Sequence, residues 1–498
     1  MENLLHSTAN ATGWLLTELP PFPGGIGSEE LYFVGSGADM DTSKHVDRMQ
    51  IIREVTLEML ELYRLRLEEA GYRTVFSRRE GKLHCMQLSG NDRLVYVYYA
   101  EPWGEARVIS EEQTVSVPEF ESICPTGEAK PLALYQYAMM FNRNGNGNRK
   151  GDPYGNCGMF YIIRLADNSL ILIDGGDVRQ ATERAAAALV PFLREITGTA
   201  EGERIRISAI FISHPHDDHK RFLNRLVESY SDQIEIGGAI YNIPVSSHPC
   251  FPAFGATLTK TFPDLKYLRP HTGMKLSMGG VEIEVVAAHE DMADAVSGKS
   301  IVTESNNLST ALKLTLNGKT VMLLTDWGGG HTVAPPEYAT LEPRFLALWD
   351  ESYLHCDAIQ VTHHALNPYM GKINAAIAPT YAFFPAADVC MENQAHPNVV
   401  NVNYDQLMAA GCDPDRVYFS SRYTYCFHVD TDGRVTVAAE HIRGADLEDD
   451  PTTSNLDRHG VPQEYLKEQD YVNETLKAYP PYRVPTDEEF ASWKILHS

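Results

Sequence analysis

One short segment constrains this chain more than any other. An apolar run over residues 207–212 is typical of a buried strand, and it leads directly into His214, His216, Asp218 and His219. Two histidines spaced two apart on an extended segment point the same way, and the next two candidates follow where the chain turns into a helix. Imidazole nitrogen and carboxylate oxygen are ligands that borderline divalent metals favour. The segment therefore offers two ligand pairs to two neighbouring metals, in preference to a solvated histidine-rich turn.

The composition is that of a globular protein with a strongly acidic balance. The chain has 498 residues, enough for two or three cores, and its net charge is −25. Such a charge argues against sequence-independent binding of long nucleic acid but not against a small anionic substrate, because metals reverse the field locally. We expect neither a membrane span nor a signal peptide, and no two of the eight cysteines have Cys-x-x-Cys spacing. We expect a cytoplasmic protein without membrane contact, whose thiols are reduced and mostly buried.

The first of three regions, residues 1–130, is predicted to be a small α+β domain. A helix is expected over roughly 41–70, followed by strand-like runs over 72–77, 82–88 and 93–100. No cluster of His, Asp and Glu with ligand spacing occurs in this region. A packing or oligomerisation module is therefore the simplest interpretation, and it leaves a homo-oligomer open.

The second region, residues 131–440, alternates apolar strand-like runs with helix-like stretches such as 179–196 and 219–229. Mixed strands and helices in this order suit an α/β fold of the αββα sandwich type. The third region, residues 441–498, is an acidic C-terminal extension with weak periodicity. We expect it to cover the surface as helices and loops and leave open whether it meets a partner chain.

The motif from His214 to His219 resembles the signature of the metallo-β-lactamase superfamily. Further landmarks of that family follow strand-like runs at Asp174, at Asp326 and at the pair His363-His364. The resemblance covers about 131–440 and implies a metallo-β-lactamase sandwich and a metal-dependent hydrolase. It differs from the family where Lys220-Arg221 stands for Gly-Gly and where Ala365 follows the paired histidines in place of glycine.

One branch of the superfamily is especially similar, the one with ComEC-type hydrolase domains and phosphorylcholine esterases. The features of this chain that resemble the branch are the paired histidines, Ser305-Asn306-Asn307 before a strand, and His396-Pro397. The branch implies a phosphoester or phosphodiester substrate that is a small molecule or a short chain. A lactonase or thioesterase acting on a carbonyl, or a non-catalytic metal-binding module, are the alternatives.

The resemblance also implies a role for each landmark. Two divalent metals would share a hydroxide that attacks the substrate, with zinc first among them and manganese or iron as alternatives. Asp326 would bridge the metals, and Asp174 would orient the ligand loop from behind. The remaining implied metal ligands are His214, His216 and, as an open candidate, His289 on one metal, and Asp218, His219 and either His363 or His364 on the other. The implied catalytic residues are Asp218, His364 and His396.

Candidate substrate-binding residues lie in a loop that is basic within an acidic chain. The Gly- and Asn-rich loop 142–151 carries Arg143, Arg149 and Lys150, and a mobile surface loop is the alternative interpretation. Backbone amides and cations of such a loop can bind phosphate. Lys220 and Arg221 add two cations after the signature, and the branch resemblance adds Asn307.

Overall fold

The computed structural model describes residues 9–41, 46–112, 114–137, 158–176, 183–244, 251–328, 337–386, 397–420 and 424–440. Within these ranges the strands form three β-sheets. The strands of the first sheet are β1 Ile26–Gly27, β2 Tyr32–Gly35, β3 Asp47–Arg53, β4 Arg73–Glu80, β5 Leu83–Gly90, β6 Arg93–Ala100 and β7 Glu105–Glu111. Those of the second are β8 Leu132–Gln136, β9 Phe160–Arg164, β10 Leu170–Asp174, β11 Ile205–Ile212, β12 Ile234–Ile236, β13 Gly238–Tyr241, β14 Lys266–Leu268, β22 Thr424–Val429 and β23 Val435–Glu440. Those of the third are β15 Lys275–Met278, β16 Val281–Ala287, β17 Ala311–Leu316, β18 Lys319–Leu323, β19 Ala358–Gln360, β20 Tyr381–Phe384 and β21 Val417–Phe419.

The helices are distributed between the sheets along the chain. They are α1 Leu57–Glu69, α2 Val117–Glu121, α3 Glu183–Thr197, α4 Arg221–Tyr230, α5 Phe251–Thr261, α6 Tyr338–Leu348, α7 Glu351–Leu354, α8 Gly371–Ile377 and α9 Pro397–Ala409. Helix α3 packs on β11 of the second sheet and on α4, whereas α8 contacts α6, α7 and α9 beside the third sheet. In the described part of the chain, no helix combines the length and apolarity needed to cross a membrane.

The first sheet is antiparallel, in the order β1-β3-β7-β6-β5-β4, with β2 also paired to β3. The predicted strands at 72–100 are present, but the predicted helix over 41–70 is wrong in its first half. Residues 47–53 form β3, and the helix begins only at Leu57, capped by the hydroxyl of Thr56. Because β3 is paired on both edges and largely buried, tertiary packing decides its conformation against the local helical pattern.

The second and third sheets form the predicted αββα sandwich. The second has the order β14-β13-β11-β10-β9-β8-β22-β23, and the third runs from β15 to β21 in chain order. Apolar residues of both sheets lie in one continuous core, which is expected when two sheets pack face to face. Each sheet is mixed: β10, β11, β13 and β14 are parallel in one, and β18, β19, β20 and β21 in the other. The mixed sheets with flanking helices confirm the predicted fold class.

The first sheet is joined to the sandwich by buried polar contacts as well as by apolar packing. Arg269 Nη2 donates to Asp47 Oδ2 at 2.6 Å, and His271 Nε2 lies 2.9 Å from Glu111 Oε1. All four side chains are almost completely buried. The described cysteines Cys85, Cys124, Cys356, Cys412 and Cys426 are buried free thiols, as predicted. The boundary at residue 130 stays a prediction, and 441–498 lies outside the described residues.

Candidate metal centre

The candidate ligands lie where parallel strands end. Asp174 is the last residue of β10, and the signature follows β11, the parallel neighbour of that strand. Asp326 follows β18, and His363-His364 follows its parallel neighbour β19. The carboxyl ends of neighbouring parallel strands share an edge of the sheet, and that edge is where such folds place their sites. The ends of the two pairs in turn face each other, so that His219 and Asp326, 107 positions apart, lie together.

The carboxylate of Asp326 is the centre of the cluster. Its Oδ2 lies 3.1 Å from His219 Nε2, 3.4 Å from His364 Nε2, 3.7 Å from His214 Nε2 and 4.0 Å from His363 Nε2. Two atoms that bind one metal at about 2 Å are separated by about 3–4 Å. The spacing around Asp326 is therefore that of ligand atoms around metal ions.

Asp218 completes one side of this arrangement. Its carboxylate oxygens lie 3.1 Å from His364 Nε2 and 3.9 Å from His219 Nε2. One ligand atom from each of Asp218, His219, Asp326 and His364 lies within 4.8 Å of the others. These four residues can therefore share one ion. Of the paired histidines, His364 joins this set.

Hydrogen bonds behind the cluster orient two of the imidazoles. His219 Nδ1 lies 2.6 Å from Oδ2 of Asp174, and His214 Nδ1 lies 3.0 Å from Oγ of Ser213. The Ser213 hydroxyl donates to Asp174 Oδ2 and the Ser213 amide to Asp174 Oδ1, both at 2.8 Å. Because the serine proton goes to the carboxylate, Ser213 accepts from His214. Both rings then carry their proton on Nδ1 and direct the Nε2 lone pair toward Asp326.

His364 is oriented from the third sheet. Its Nδ1 lies 3.1 Å from the carbonyl oxygen of Pro385, just after β20, and 3.2 Å from the amide of Gly158. The Gly158 amide donates to this nitrogen, and the Pro385 carbonyl lies on it as an acceptor, so both contacts fix the ring with Nε2 facing Asp218 and Asp326. The backbone of His363, His364 and Ala365 is left-handed, with φ of 49°, 51° and 61°. Ala365 thus takes the conformation that the glycine of the resembled element would favour.

Two neighbours of the cluster were missed by the sequence analysis. Ser305 Oγ lies 2.5 Å from His216 Nε2, and the side-chain Nδ2 of Asn306 donates to His363 Nε2 at 3.2 Å. Both belong to the short 3-10 turn Ser305–Leu308 before β17. The sequence pattern Ser305-Asn306-Asn307 assigns a role only to its third residue, Asn307. Sequence gives no orientation within a turn, so it could not indicate which side chain faces the site.

The electrostatics of the cluster are dominated by buried carboxylates. Burial acts to raise the pKa of Asp326, but attraction from His219 and His364 outweighs it and holds the pKa well below its usual range. Burial acts to lower the pKa of His364, yet Asp326 and Asp218 raise it to about 10. Burial lowers the pKa of His363 to about 4. Without a metal, the protonated imidazole of His364 supplies the positive charge that these buried carboxylates require, and a divalent cation would take over that role.

Two predicted residues do not face the cluster. His289, the open candidate for a ligand, is fully buried, with Nδ1 2.8 Å from the hydroxyl of Tyr32 and Nε2 2.8 Å from Oδ1 of Asn242. Neither ring nitrogen is left for a metal. Asn307, a predicted substrate contact, is also fully buried; its amide donates to Glu337 and its carbonyl accepts from the amide of Gly328. Asn307 therefore links Gly328, just after Asp326, to Glu337 through its side chain.

The predicted phosphate-binding cations are not placed at the site by the described residues. Lys220 and Arg221 are buried beside Asp217, which contacts the ammonium group of one and accepts from the guanidinium of the other at 2.8 Å. The Asp217 carboxylate thereby offsets part of their positive charge within the protein. Arg143, Arg149, Lys150 and His396 lie outside the described residues.

Comparison with known proteins identifies structures but no family. No protein-family model matches the chain, and no curated protein matches it. Similar solved structures include the diiron β-hydroxylase CmlA from Streptomyces venezuelae, at 13% identity and TM-score 0.33 over 61% of this chain and 55% of that chain. Human tRNase Z, short form, has 13% identity and TM-score 0.25 over 51% and 91%, and a metallo-β-lactamase from Cronobacter sakazakii has 17% and 0.22 over 51% and 88%.

One of these neighbours is by name a metallo-β-lactamase, the superfamily whose signature the motif resembles. The alignment spans about half the length of CmlA. All three TM-scores are below 0.5, so the function proposed below depends on the residues of the site.

Proposed function

We propose that this protein is a dinuclear metal-dependent hydrolase. One observation carries the proposal: the Nε2 atoms of His214, His219 and His364 converge on the buried carboxylate of Asp326. The opposite nitrogens of these rings are held by Ser213, Asp174 and Pro385. Histidines that serve only packing do not need three Nε2 atoms directed at one carboxylate.

The geometry supports two groups of ligands that share Asp326. One group consists of Asp218, His219 and His364, whose atoms are close enough to bind a single ion. The other consists of His214 and His216, whose rings are 4.6 Å apart, with His363 as the neighbour on the far side of Asp326. Nitrogen and oxygen ligands of this kind suit zinc first, and manganese or iron as alternatives.

The protein's own residues would prepare the site for hydrolysis. Bound divalent metals would lower the pKa of water toward neutrality and stabilise developing negative charge. Asp174 and Ser213 hold the protons of His219 and His214 on Nδ1, so that both Nε2 atoms stay available. Asn306 holds the ring of His363 at the edge of the cluster by donating to Nε2. His363 is therefore the ring best placed beside a substrate, while His364 and Asp218 serve as ligands.

A phosphoester or phosphodiester is the proposed substrate. Support comes from the likeness of the paired histidines and of Ser305-Asn306-Asn307 to the phosphoesterase branch. Two metals held by the ligands around Asp326 would supply the charge stabilisation that displacement at phosphorus requires. A carbonyl hydrolase would use the same ligands and is the outcome to be tested against.

The metal proposal is tested by elemental analysis of purified protein. We expect about two equivalents of zinc, manganese or iron in the wild type and a loss of both metals and hydrolysis in Asp326→Ala. Far-ultraviolet circular dichroism should show that this variant keeps its fold. Protein that binds no metal after reconstitution, or full turnover in Asp326→Ala, would overturn the proposal.

The substrate class is tested with a panel of phosphodiesters, phosphomonoesters, lactones and thioesters. Phosphoester turnover that is lost in Asp326→Ala supports the proposal. Turnover of lactones or thioesters alone would establish the carbonyl hydrolase instead. Two bound metals without turnover of any class would leave a non-catalytic metal-binding module.

A further inference from the structure

A cavity of about 400 Å³ lies beside the candidate metal centre. Ser305 lines it, and the hydroxyl of this serine is also 2.5 Å from Nε2 of His216. A single side chain thus separates the cavity from a proposed ligand. Its volume is in the range of pockets that bind small molecules.

One wall of this cavity comes from the first sheet. Leu31, Tyr32 and Phe33 line it at the start of β2, opposite Val302 and Leu308 of the sandwich. Tyr32 points inward and contacts His289, whereas Phe33 is 57% exposed. An aromatic ring exposed to this extent at the edge of a cavity offers a contact surface for another apolar group.

The wall is held firmly in place. The amide of Glu29 donates to the carbonyl of Val296 at 2.8 Å, and the amide of Glu30 to that of Ser297 at 3.2 Å. Gly298 allows this close approach, because its φ is 76° and a Cβ there would lie 2.1 Å from the carbonyl oxygen of Glu30. The position of Phe33 is therefore fixed relative to the sandwich.

The charges at the rim of the cavity cancel. Lys299 Nζ lies 3.2 Å from Glu30 Oε1, and both side chains are largely exposed. These are the only ionisable Lys, Arg, Asp and Glu residues among the described residues that line the cavity. The rest of the lining combines the apolar residues Leu31, Phe33, Pro244, Val302 and Leu308 with the hydroxyl residues Ser300, Thr303 and Ser305. An uncharged ring fits its apolar part, whereas Lys299, already paired with Glu30, offers little attraction to a second anionic group.

We propose that this cavity binds an aromatic ester group of the substrate, the one that is not displaced, and that Phe33 is its main contact. The inference rests on the proposed phosphodiester hydrolysis and specifies its substrate class. The N-terminal region, predicted from the sequence to be a packing or oligomerisation module, thereby becomes part of the substrate site. Phe33 acts on specificity and takes no part in bond breaking.

The test uses two p-nitrophenyl phosphodiesters with the same leaving group, whose other ester group is methyl or phenyl. For the wild type we expect a KM about three- to tenfold lower for the phenyl ester, the effect of one good aromatic contact. Phe33→Ala should abolish this difference by raising KM for the phenyl ester to that for the methyl ester. Leu57→Ala, a control at another exposed apolar side chain of the N-terminal region that does not line the cavity, should keep it. An unchanged phenyl preference in Phe33→Ala would overturn the inference.

A binding measurement separates this inference from the proposed function. Phenylphosphonate and methylphosphonate are titrated into metal-loaded protein by calorimetry, which requires no turnover. Tighter binding of phenylphosphonate that disappears in Phe33→Ala supports the cavity even if no diester is hydrolysed. Equal affinity for the two compounds, or none for either, overturns it whatever the enzyme hydrolyses.

Discussion

Asp174 Oδ2 lies 2.6 Å from Nδ1 of His219, and this contact joins the end of one strand to the ligand turn after its parallel neighbour. The same carboxylate accepts both the hydroxyl and the amide of Ser213 and is fully buried. It therefore acts on His219 directly and on His214 through Ser213. This single carboxylate holds two proposed ligands in the tautomer that a metal requires.

Asp174→Asn should lower metal affinity about 10- to 100-fold, the usual effect of removing such an outer partner. The Asn side chain replaces one of the two acceptor oxygens of Asp174 with an NH2 donor. Either Ser213 or His219, which both donate to Asp174 in the wild type, would then face a donor. Metal affinity is measured by competition with a chelator. Asp167→Asn is a matched control, because Asp167 also accepts from a serine, Ser169, but lies before the opposite end of β10. Equal metal affinity in Asp174→Asn and wild type would contradict the role given to Asp174.

His289 and His364 are both buried histidines, yet we expect opposite effects when each is changed to Gln. His364→Gln should lose about one metal equivalent, because Nε2 of His364 faces Asp218 and Asp326. His289→Gln should keep both metals and lower the melting temperature, because it disturbs the buried contacts to Tyr32 and Asn242. Elemental analysis and thermal unfolding of the two variants check this. Metal loss in His289→Gln with no change in melting temperature would restore His289 as a ligand.

Arg269 is a buried cation between the first sheet and the sandwich. Its guanidinium lies 2.6 Å from Asp47 Oδ2 and 2.9 Å from Glu111 Oε1. Arg269→Met leaves these carboxylates buried without their partner, so we expect the free energy of unfolding to fall by about 3–5 kcal/mol. Arg48→Met is the control, because the pair of Arg48 with Glu18 is partly exposed and should contribute less than about 1 kcal/mol. Urea denaturation measures the free energy of unfolding of both variants. Similar decreases in the two would show that the buried ion pairs of Arg269 stabilise the protein no more than the partly exposed pair of Arg48.

His271 should make the stability of the protein depend on pH. The ring lies 2.9 Å from both Glu111 and Glu290. Burial acts to lower its pKa, but attraction from Glu290 and Glu111 raises the pKa to about 9, compared with about 6.5 in an unfolded chain. Since the folded state holds the proton more tightly, the stabilisation is complete below about pH 6.5 and is lost as pH rises through about 9.

The pH dependence is measured by urea denaturation between pH 6 and pH 9.5. The free energy of unfolding of the wild type should fall over this interval. His271→Gln should be less stable at pH 6 and should lack this part of the fall, because it has no proton to lose. Parallel curves for the two proteins would show that His271 does not titrate as described.

Local sequence was sufficient for the elements whose pattern is short and strong. The run 207–212 and the residues from His214 to His219 predicted a strand that ends in a ligand turn, and both are present. Apolar runs likewise predicted the strands that end at Asp174 and shortly before Asp326, and both strands are present. Residues 47–53 show the limit, because pairing of β3 with strands on both sides overrides a helical pattern.

The choice among candidate side chains was decided only by the tertiary structure. Sequence left His363 and His364 as equal candidates, and the left-handed backbone at both directs His364 Nε2 between Asp218 and Asp326. His289 has a plausible position in the sequence, but Tyr32, 257 residues away, occupies its Nδ1. Phe33 has no motif around it at all. Periodicity and strand ends depend on neighbours along the chain, whereas the direction of a lone pair and the lining of a cavity depend on partners that only folding brings together.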